Sequence, residues 1–299
     1  MTGCNIDEAL AGSERFTEDF HHSYALKPGG RFELESFNGS VEIYGWDQEQ
    51  VEINGTKYAS TKDALDDIRI EIAHTPESVI VRTIRPDWKG SGWRGNRGVR
   101  YRVHVPRKVQ FERVATSNGS MRLENVEGRG RFRTSNGSLT LVAYQGDIEA
   151  NTSNGRIQLD RFNGSASLTT SNGRIEARGV RGFLEAHTSN GPIDVETSEL
   201  DPSRPVKLET SNGPITIRIS GGNGPGVRAK TSNGGITVKL PEGASAQVRA
   251  HTSNSTVKSD FPLNNVTNTS KTHLEAAIGA GGPLLDLTTS NGHIRIGRD

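Results

Sequence analysis

The chain has 299 residues, a net charge of +1, and 32% hydrophobic residues beside 35 glycines. So balanced a charge removes the electrostatic case for nucleic-acid binding; basic groups such as Arg129, Arg131 and Arg133 alternate with acidic ones and read as a solvated face. A single cysteine, Cys4, excludes an internal disulfide, and no apolar run approaches the length of a membrane-spanning helix.

Residues 1–23 read as a flexible lead. Its start, Met1-Thr2-Gly3-Cys4, has the form of a bacterial lipoprotein processing site, in which the cysteine is lipidated and anchors the protein to a membrane. The apolar stretch that precedes such a site is not in the sequence, so the alternative is a native start at Met1 with Cys4 unmodified. A strand pattern begins near Phe32, and residues 24–113 form an N-terminal β region. Within it, Ser36-Phe37-Asn38-Gly39 leads Val41 and Ile43, and Val51 and Ile53 continue the alternation. Asp63-Ala64-Leu65-Asp66-Asp67 is the only helix-like stretch. Ile68–Ile72 and Val79–Arg82 alternate around Thr75-Pro76-Glu77-Ser78, which is the signature of a hairpin. A loop rich in Gly, Trp and Arg follows, from Pro86 to Gly98. Its Trp88, Trp93, Arg94 and Arg97 are the types found in binding hot spots, and equally the types that fold over and cap the end of a repeat array.

From residue 114 to 299 the pattern is periodic. Glycine falls every nine residues from Gly119 to Gly191, and every second one closes the string Thr-Ser-Asn-Gly. The string starts at Thr116, Thr134, Thr152, Thr170, Thr188, Thr210, Thr231 and Thr289, with a Ser-ending copy at Thr252; the steps are 18, 18, 18, 18, 22, 21, 21 and 37 residues. Three and five positions after each Asn stand apolar residues, such as Ile157 and Leu159 or Ile215 and Ile217, with polar residues between them; Ser259, five after Asn254, is the one exception. Two before each Thr stands another, such as Leu168 or Leu208. Period-two alternation on both sides predicts two half-buried strands per repeat, with the Thr pointing inward. The Ser-Asn-Gly corner must change the parity of the chain, and a glycine at positive φ is the expected means. A second corner is marked by Val126, Tyr144, Phe162 and Val180, each two residues before a glycine.

The fold class this predicts is all-β: a parallel two-sheet β-solenoid, β-helix-like or β-roll-like, with about 18–22 residues per coil and an N-terminal part of extended strands and a hairpin. Like residues then stack on like. Asn118, Asn136, Asn154, Asn172, Asn190, Asn212, Asn233, Asn254 and Asn291 form one column, expected to be a structural ladder of amides rather than a row of ligand contacts, with Thr hydroxyls satisfied in ladders beside it. The final strand, Ile294 to Gly297, is expected to leave an open parallel edge partly guarded by Arg295, Arg298 and Asp299, and the insertion 261–282 to cap the final coil.

The chemistry this pattern excludes is equally informative. No acidic column supports calcium, and scattered histidines such as His21, His22, His187 and His251 supply no zinc set. No serine has a paired histidine and acid at a unique site, so no catalytic residue, metal or cofactor is expected. Thr140, Thr216 and Thr237 share an outward column, but Arg122, Gln158, Glu176 and Asp194 interrupt it, which disfavours a flat ice-binding face.

Several separated motifs resemble one bacterial family of β-strand-repeat envelope proteins grouped as candidate adhesins. They are Leu26-Lys27-Pro28-Gly29-Gly30-Arg31, Asn38-Gly39-Ser40, Gly45-Trp46-Asp47, the strand from Tyr101 to Pro106, Asp260-Phe261-Pro262-Leu263, Gly281-Gly282-Pro283 and the last Thr-Ser-Asn-Gly, so the resemblance spans about residues 24–297. It implies a solenoid on the cell envelope, often lipid-anchored, without catalytic activity and without assigned functional residues. The expectation is therefore a non-enzymatic adhesin or surface scaffold, on the extracellular or periplasmic face, whose partner is a surface protein or glycan. Two alternatives stay open: a polysaccharide-binding or polysaccharide-processing β-helix protein, and a self-assembling fibre subunit.

Overall fold

Alternation is what sets the strands. In the segment Ile215-Thr216-Ile217-Arg218-Ile219 the isoleucines are buried and the residues between them half-exposed, and a slip of one position would turn every isoleucine to water. The computed structural model describes residues 16–84, 96–200, 203–220 and 226–299. Among these the chain is all-β, with a single short helix. It divides into two compact units, Met1–Gly137 and Ser138–Asp299.

The first unit holds β1 (Phe16–Ala25), β2 (Arg31–Glu35), β3 (Val41–Trp46), β4 (Gln50–Ala59), α1 (Lys62–Asp66), β5 (Arg69–Thr75), β6 (Ser78–Ile84), β7 (Arg97–Pro106), β8 (Gln110–Ala115), β9 (Met121–Glu124) and β10 (Gly130–Arg133). Two pairing series run through it. One joins β5, β6, β2, β8 and β10; the other joins β1, β4, β7, β3 and β9. Only β5–β6, β1–β4 and β4–β7 are antiparallel. The predicted hairpin is thus β5–β6, with Thr75 opposite Ser78. The helix-like stretch is α1, capped by Thr61, whose hydroxyl accepts the Ala64 amide at 3.2 Å.

The flexible lead expected over residues 1–23 does not hold from Phe16 onward, because Phe16 to Ala25 pair residue for residue with Ala59 to Gln50. As an edge strand β1 is mostly exposed along its length, so it carries no alternating apolar signature, and its backbone bonds to β4 hold it instead.

The second unit holds β11 (Leu139–Val142), β12 (Gln145–Asn151), β13 (Ile157–Asp160), β14 (Asn163–Thr170), β15 (Ile175–Thr188), β16 (Ile193–Leu200), β17 (Val206–Glu209), β18 (Ile215–Ile219), β19 (Val227–Lys230), β20 (Ile236–Leu240), β21 (Ala246–Thr252), β22 (Val257–Ser259), β23 (Leu263–Thr269), β24 (His273–Ile278), β25 (Leu284–Thr289) and β26 (Ile294–Arg298). Parallel pairs step by one repeat: Leu139 beside Ile157, Ile157 beside Ile175, Ile175 beside Ile193, Ile193 beside Ile215, Ile215 beside Ile236. All six side chains are buried, and full burial of each is worth about 1.5–3 kcal/mol.

Stacking follows chain order only as far as β20. The next neighbour of β20 is β26, and β26 pairs on its other side with β22; likewise β25 lies between β19 and β21. The final strand therefore leaves no open edge, contrary to the expectation from its position. The segment after Phe261 forms the antiparallel pair β23–β24, which lies against β21 rather than against the final winding. The long link between residues 260 and 283 frees the last repeat from stacking in sequence order, and the repeat pattern is the same in either order. The first unit shows the same device: β2 sits between β6 and β8, and β3 between β7 and β9.

Candidate functional site

Each Thr-Ser-Asn-Gly corner is built from three side-chain or backbone relationships. Thr170 is buried; its hydroxyl accepts the Gly173 amide at 3.1 Å and donates to the carbonyl of Gly155, one winding back, at 3.2 Å. Thr188, Thr210 and Thr231 repeat the arrangement. The hydroxyls thus bond to glycine backbone rather than to one another as expected, because the inward rotamer brings Oγ1 against the turn that follows it.

The corner glycine also departs from expectation. Gly173 is not at positive φ; a Cβ there would stand 1.7 Å from the Gly155 carbonyl oxygen, so close approach of backbones is what requires glycine. Positive φ appears at the other corner, as at Gly164 (+139°). One position in each of several windings before that corner also lies in the left-handed region: Asn125, Ala143, Arg161 and Gly179, at φ of 50–60°. Of these only Asn and Gly announce such a conformation in a sequence.

The asparagine side chains are exposed and bond along the column. In the first unit Asn136 donates to Asn118 at 2.6 Å and Asn118 to Asn38 at 2.5 Å. In the second, Asn172 donates to Asn154, Asn190 to Asn172, Asn212 to Asn190, Asn233 to Asn212, Asn291 to Asn233 and Asn254 to Asn291, all at 2.6–2.7 Å. Asn38 is a member that the repeat string missed, since Phe37 replaces Ser in its motif.

The candidate contact surface lies in the first unit. A groove of about 760 Å³ opens there, lined by Asp19 and His21 of β1, Asn54 and Thr56 of β4, Arg100, Arg102 and His104 of β7, and Ser40 and Glu42 at β3. Phe20, Gly55 and Tyr101 also line it; along β7, period-two alternation turns Arg100, Arg102 and His104 outward while Tyr101, Val103 and Val105 are buried. Inside, burial pushes the Tyr101 hydroxyl up to about 12, and it bonds Thr83 at 2.7 Å. Between neighbouring strands Thr56 donates to Asp19 at 2.6 Å and Arg102 to Glu42 at 3.2 Å, and along β4 Asn54 donates to Glu52 at 2.7 Å. His21 Nδ1 stands 2.8 Å from the side-chain oxygen of Asn54, within hydrogen-bond reach. His104 stacks on the Trp46 ring at 5.0 Å, and its Nδ1 is 3.6 Å from Glu52. Burial, then the charge of Glu42, raises the Tyr44 hydroxyl at the groove's border. Both signs of charge and both kinds of hydrogen-bonding group are presented on one rigid sheet beside an aromatic face. Such a surface suits a hydroxyl-rich or polar partner.

Sequence reasoning missed this groove. It placed His21 in the lead and gave Arg100, Arg102 and His104 no role. Of the residues it singled out, Cys4, Trp88, Trp93 and Arg94 lie outside the described residues. Arg97 begins β7, where its carbonyl accepts the Asn38 side-chain amide at 3.0 Å. Among the described residues no group of three or more His, Cys, Asp or Glu is placed to hold a metal ion, and no helix is long and apolar enough to cross a membrane.

No family model matches the chain, and no curated protein matches it. Among solved structures it is similar to the putative adhesin from Parabacteroides distasonis, with a TM-score of 0.52 and 9% identity over 93% of this chain and 97% of that one. The putative adhesin from Bacteroides fragilis gives a TM-score of 0.42 and 11% identity over 93% and 97%, and the putative cell adhesion protein from Clostridium sporogenes gives 0.27 and 10% over 94% and 100%. These two superpose too loosely to bear on the fold. The first defines a class at the level of fold: all-β chains built along their whole length like this one.

Proposed function

We propose that the protein is a non-enzymatic adhesin or surface scaffold of the bacterial cell envelope, built as a two-sheet β-solenoid and anchored by lipid at Cys4. Its groove on β1, β4, β7 and β3 is the contact surface, and its partner is a glycan or the polar surface of another protein. The observation that carries this reading is the whole-length fold likeness to the Parabacteroides distasonis protein. It agrees with the motifs spread from Leu26 to the last Thr-Ser-Asn-Gly. The groove supports it further: Arg102–Glu42 and Thr56–Asp19 fix polar groups in place on paired strands, which lowers the ordering cost of binding.

The test is a glycan array and a cell-adherence assay with beads carrying the folded protein. Binding that falls at least tenfold in Arg102→Ala, with an unchanged circular dichroism spectrum, is the expected result. No binding above that of bare beads on any surface would contradict the adhesin reading. Fractionation of cells making the native protein, followed by intact mass, tests the anchor at Cys4.

A further inference from the structure

The winding made by β25 and β26 is held between two windings that precede it in sequence, and this arrangement has a consequence for assembly. We propose that the β25–β26 winding is exchangeable between copies, so that the protein self-associates by lending residues 284–298 to the matching slot of a second copy. The proposal is independent of the adhesin reading.

The slot is shaped for this segment. With the winding withdrawn, β19 and β20 on one side and β21 and β22 on the other present unpaired strand edges, which demand a strand. Leu285, Leu287, Ile294 and Ile296 are all at most 2% exposed in it. The Thr289 hydroxyl donates to the Gly234 carbonyl at 2.9 Å, and Asn291 bridges Asn233 and Asn254. A Cβ on Gly292 would stand 1.8 Å from the Gly234 oxygen. An occupant must therefore put leucine or isoleucine, threonine, asparagine and glycine in this register, and a second copy of the same segment does so.

The hinge is equally specific. β24 is antiparallel to β21, while β25 is parallel to the opposite edge of the same strand, so the link Gly279–Pro283 passes over the start of β21. Gly279, Gly281 and Gly282 make that reversal at φ of +56°, +79° and +151°. Opening the link sends β25 away from its own slot toward another. Contacts inside the slot are the same whichever copy fills it, so cis and trans forms differ only in the hinge and in the entropy of association. The locks at the winding's flank, Arg295 to Asp260 at 3.0 Å and Arg298 to Glu242 at 3.3 Å, are exposed ion pairs of small worth. During synthesis β21 and β22 emerge before residues 284–298, so each chain passes through a state with its slot empty.

Arg228 of β19 faces Asp286 of β25 across this slot. Two full-length chains, both with Cys4→Ser, carry Arg228→Cys in one and Asp286→Cys in the other. They are mixed at high concentration, carried through the unfolding midpoint, refolded and oxidised. Exchange predicts the mixed disulfide in at least tenfold excess over both like-with-like dimers; equal amounts, or no dimer, overturn the proposal. A second variant, lacking Gly279–Gly282, keeps Pro283 alone between Ile278 and Leu284; two Cα steps reach about 7 Å, short of the two strand spacings, about 10 Å, that separate these residues across β21. Sedimentation should show it as a dimer with native circular dichroism, and a natively folded monomer would overturn the proposal as well.

Discussion

The Asn291 side-chain amide donates to the Asn233 carbonyl oxygen at 2.7 Å, although 58 residues separate them, and Asn254, which comes between them in sequence, bonds to Asn291 from the far side. The column of amides thus records the stacking order of the windings, and it shows the last repeat inserted rather than appended. The expected role of the column is structural, and a substitution within it tests this. Asn172→Ala removes the bond to Asn154 at 2.7 Å and leaves Asn190 without its acceptor at 2.6 Å. Because water reaches both partners, the expected cost is about 1–2 kcal/mol, read as a lower midpoint in chemical denaturation, with cell adherence unchanged. An unchanged midpoint would show that the ladder adds nothing.

Two glycines separate two reasons for having no side chain. Gly173→Ala drives a Cβ to 1.7 Å from the Gly155 oxygen, so the backbones of two windings must part; the loss should reach at least about 2–3 kcal/mol. Gly179→Ala meets nothing closer than 3.6 Å but sits at φ +60°, and should cost about 1 kcal/mol. Chemical denaturation of the two variants side by side checks the order, and equal losses would refute the close-approach explanation.

Ala143 lies at φ +50° in the left-handed column. Ala143→Gly relieves that conformation, and the variant should be more stable than the parent by about 0.5–1 kcal/mol after the added freedom of the unfolded chain is deducted. A variant less stable than the parent would show that the methyl group contributes packing that outweighs the strain.

Asp194 pairs in register with Glu176 on β15, and Arg174 stands 3.4 Å from it. Burial raises the Asp194 carboxyl above the usual aspartate range; Arg174 opposes this and the like charge of Glu176 adds to it. A carboxyl raised in the folded state favours folding below its unfolded pKa, and that advantage is lost as pH climbs through the folded value. Asp194→Asn should therefore be at least as stable as the parent at neutral pH, with the difference vanishing in acid below about pH 4. Denaturation midpoints across this range test it; a variant weaker at neutral pH and equal in acid would reverse the sign.

The sequence made the all-β class readable because burial leaves its mark wherever a strand has one wet face: Ile157, Leu159, Ile175 and Ile193 announce their register on their own. The β5–β6 hairpin was readable for the same reason; Asn38 was readable as a corner ahead of Val41 and Ile43 but not as a member of the amide column. β1 was not, since an edge strand held by backbone bonds needs no apolar alternation. The stacking order was not, because Ile236 offers the same edge to Val257 as to Ile294 and only the long link after Phe261 decides between them. The groove was not, because Arg100, Arg102 and His104 have the pattern of any solvated face until β1 and β3 bring Asp19, His21 and Glu42 beside them. Left-handed Ala143 and Arg161 carry no signature at all; their amides donate one repeat on, to the carbonyls of Asp160 at 2.9 Å and Arg178 at 3.0 Å.

Stacking in register, with the last repeat inserted, is most directly tested by paired cysteines in a dilute monomer carrying Cys4→Ser. Thr237 faces Arg295, and Arg295 faces Lys258 on the other side, which places Thr237 and Lys258 two strand spacings apart, about 10 Å and beyond disulfide reach. Thr237→Cys with Arg295→Cys should close an intramolecular disulfide on mild oxidation, and Thr237→Cys with Lys258→Cys should leave both thiols free. The opposite pair of results would mean that the windings stack in the order in which they are written.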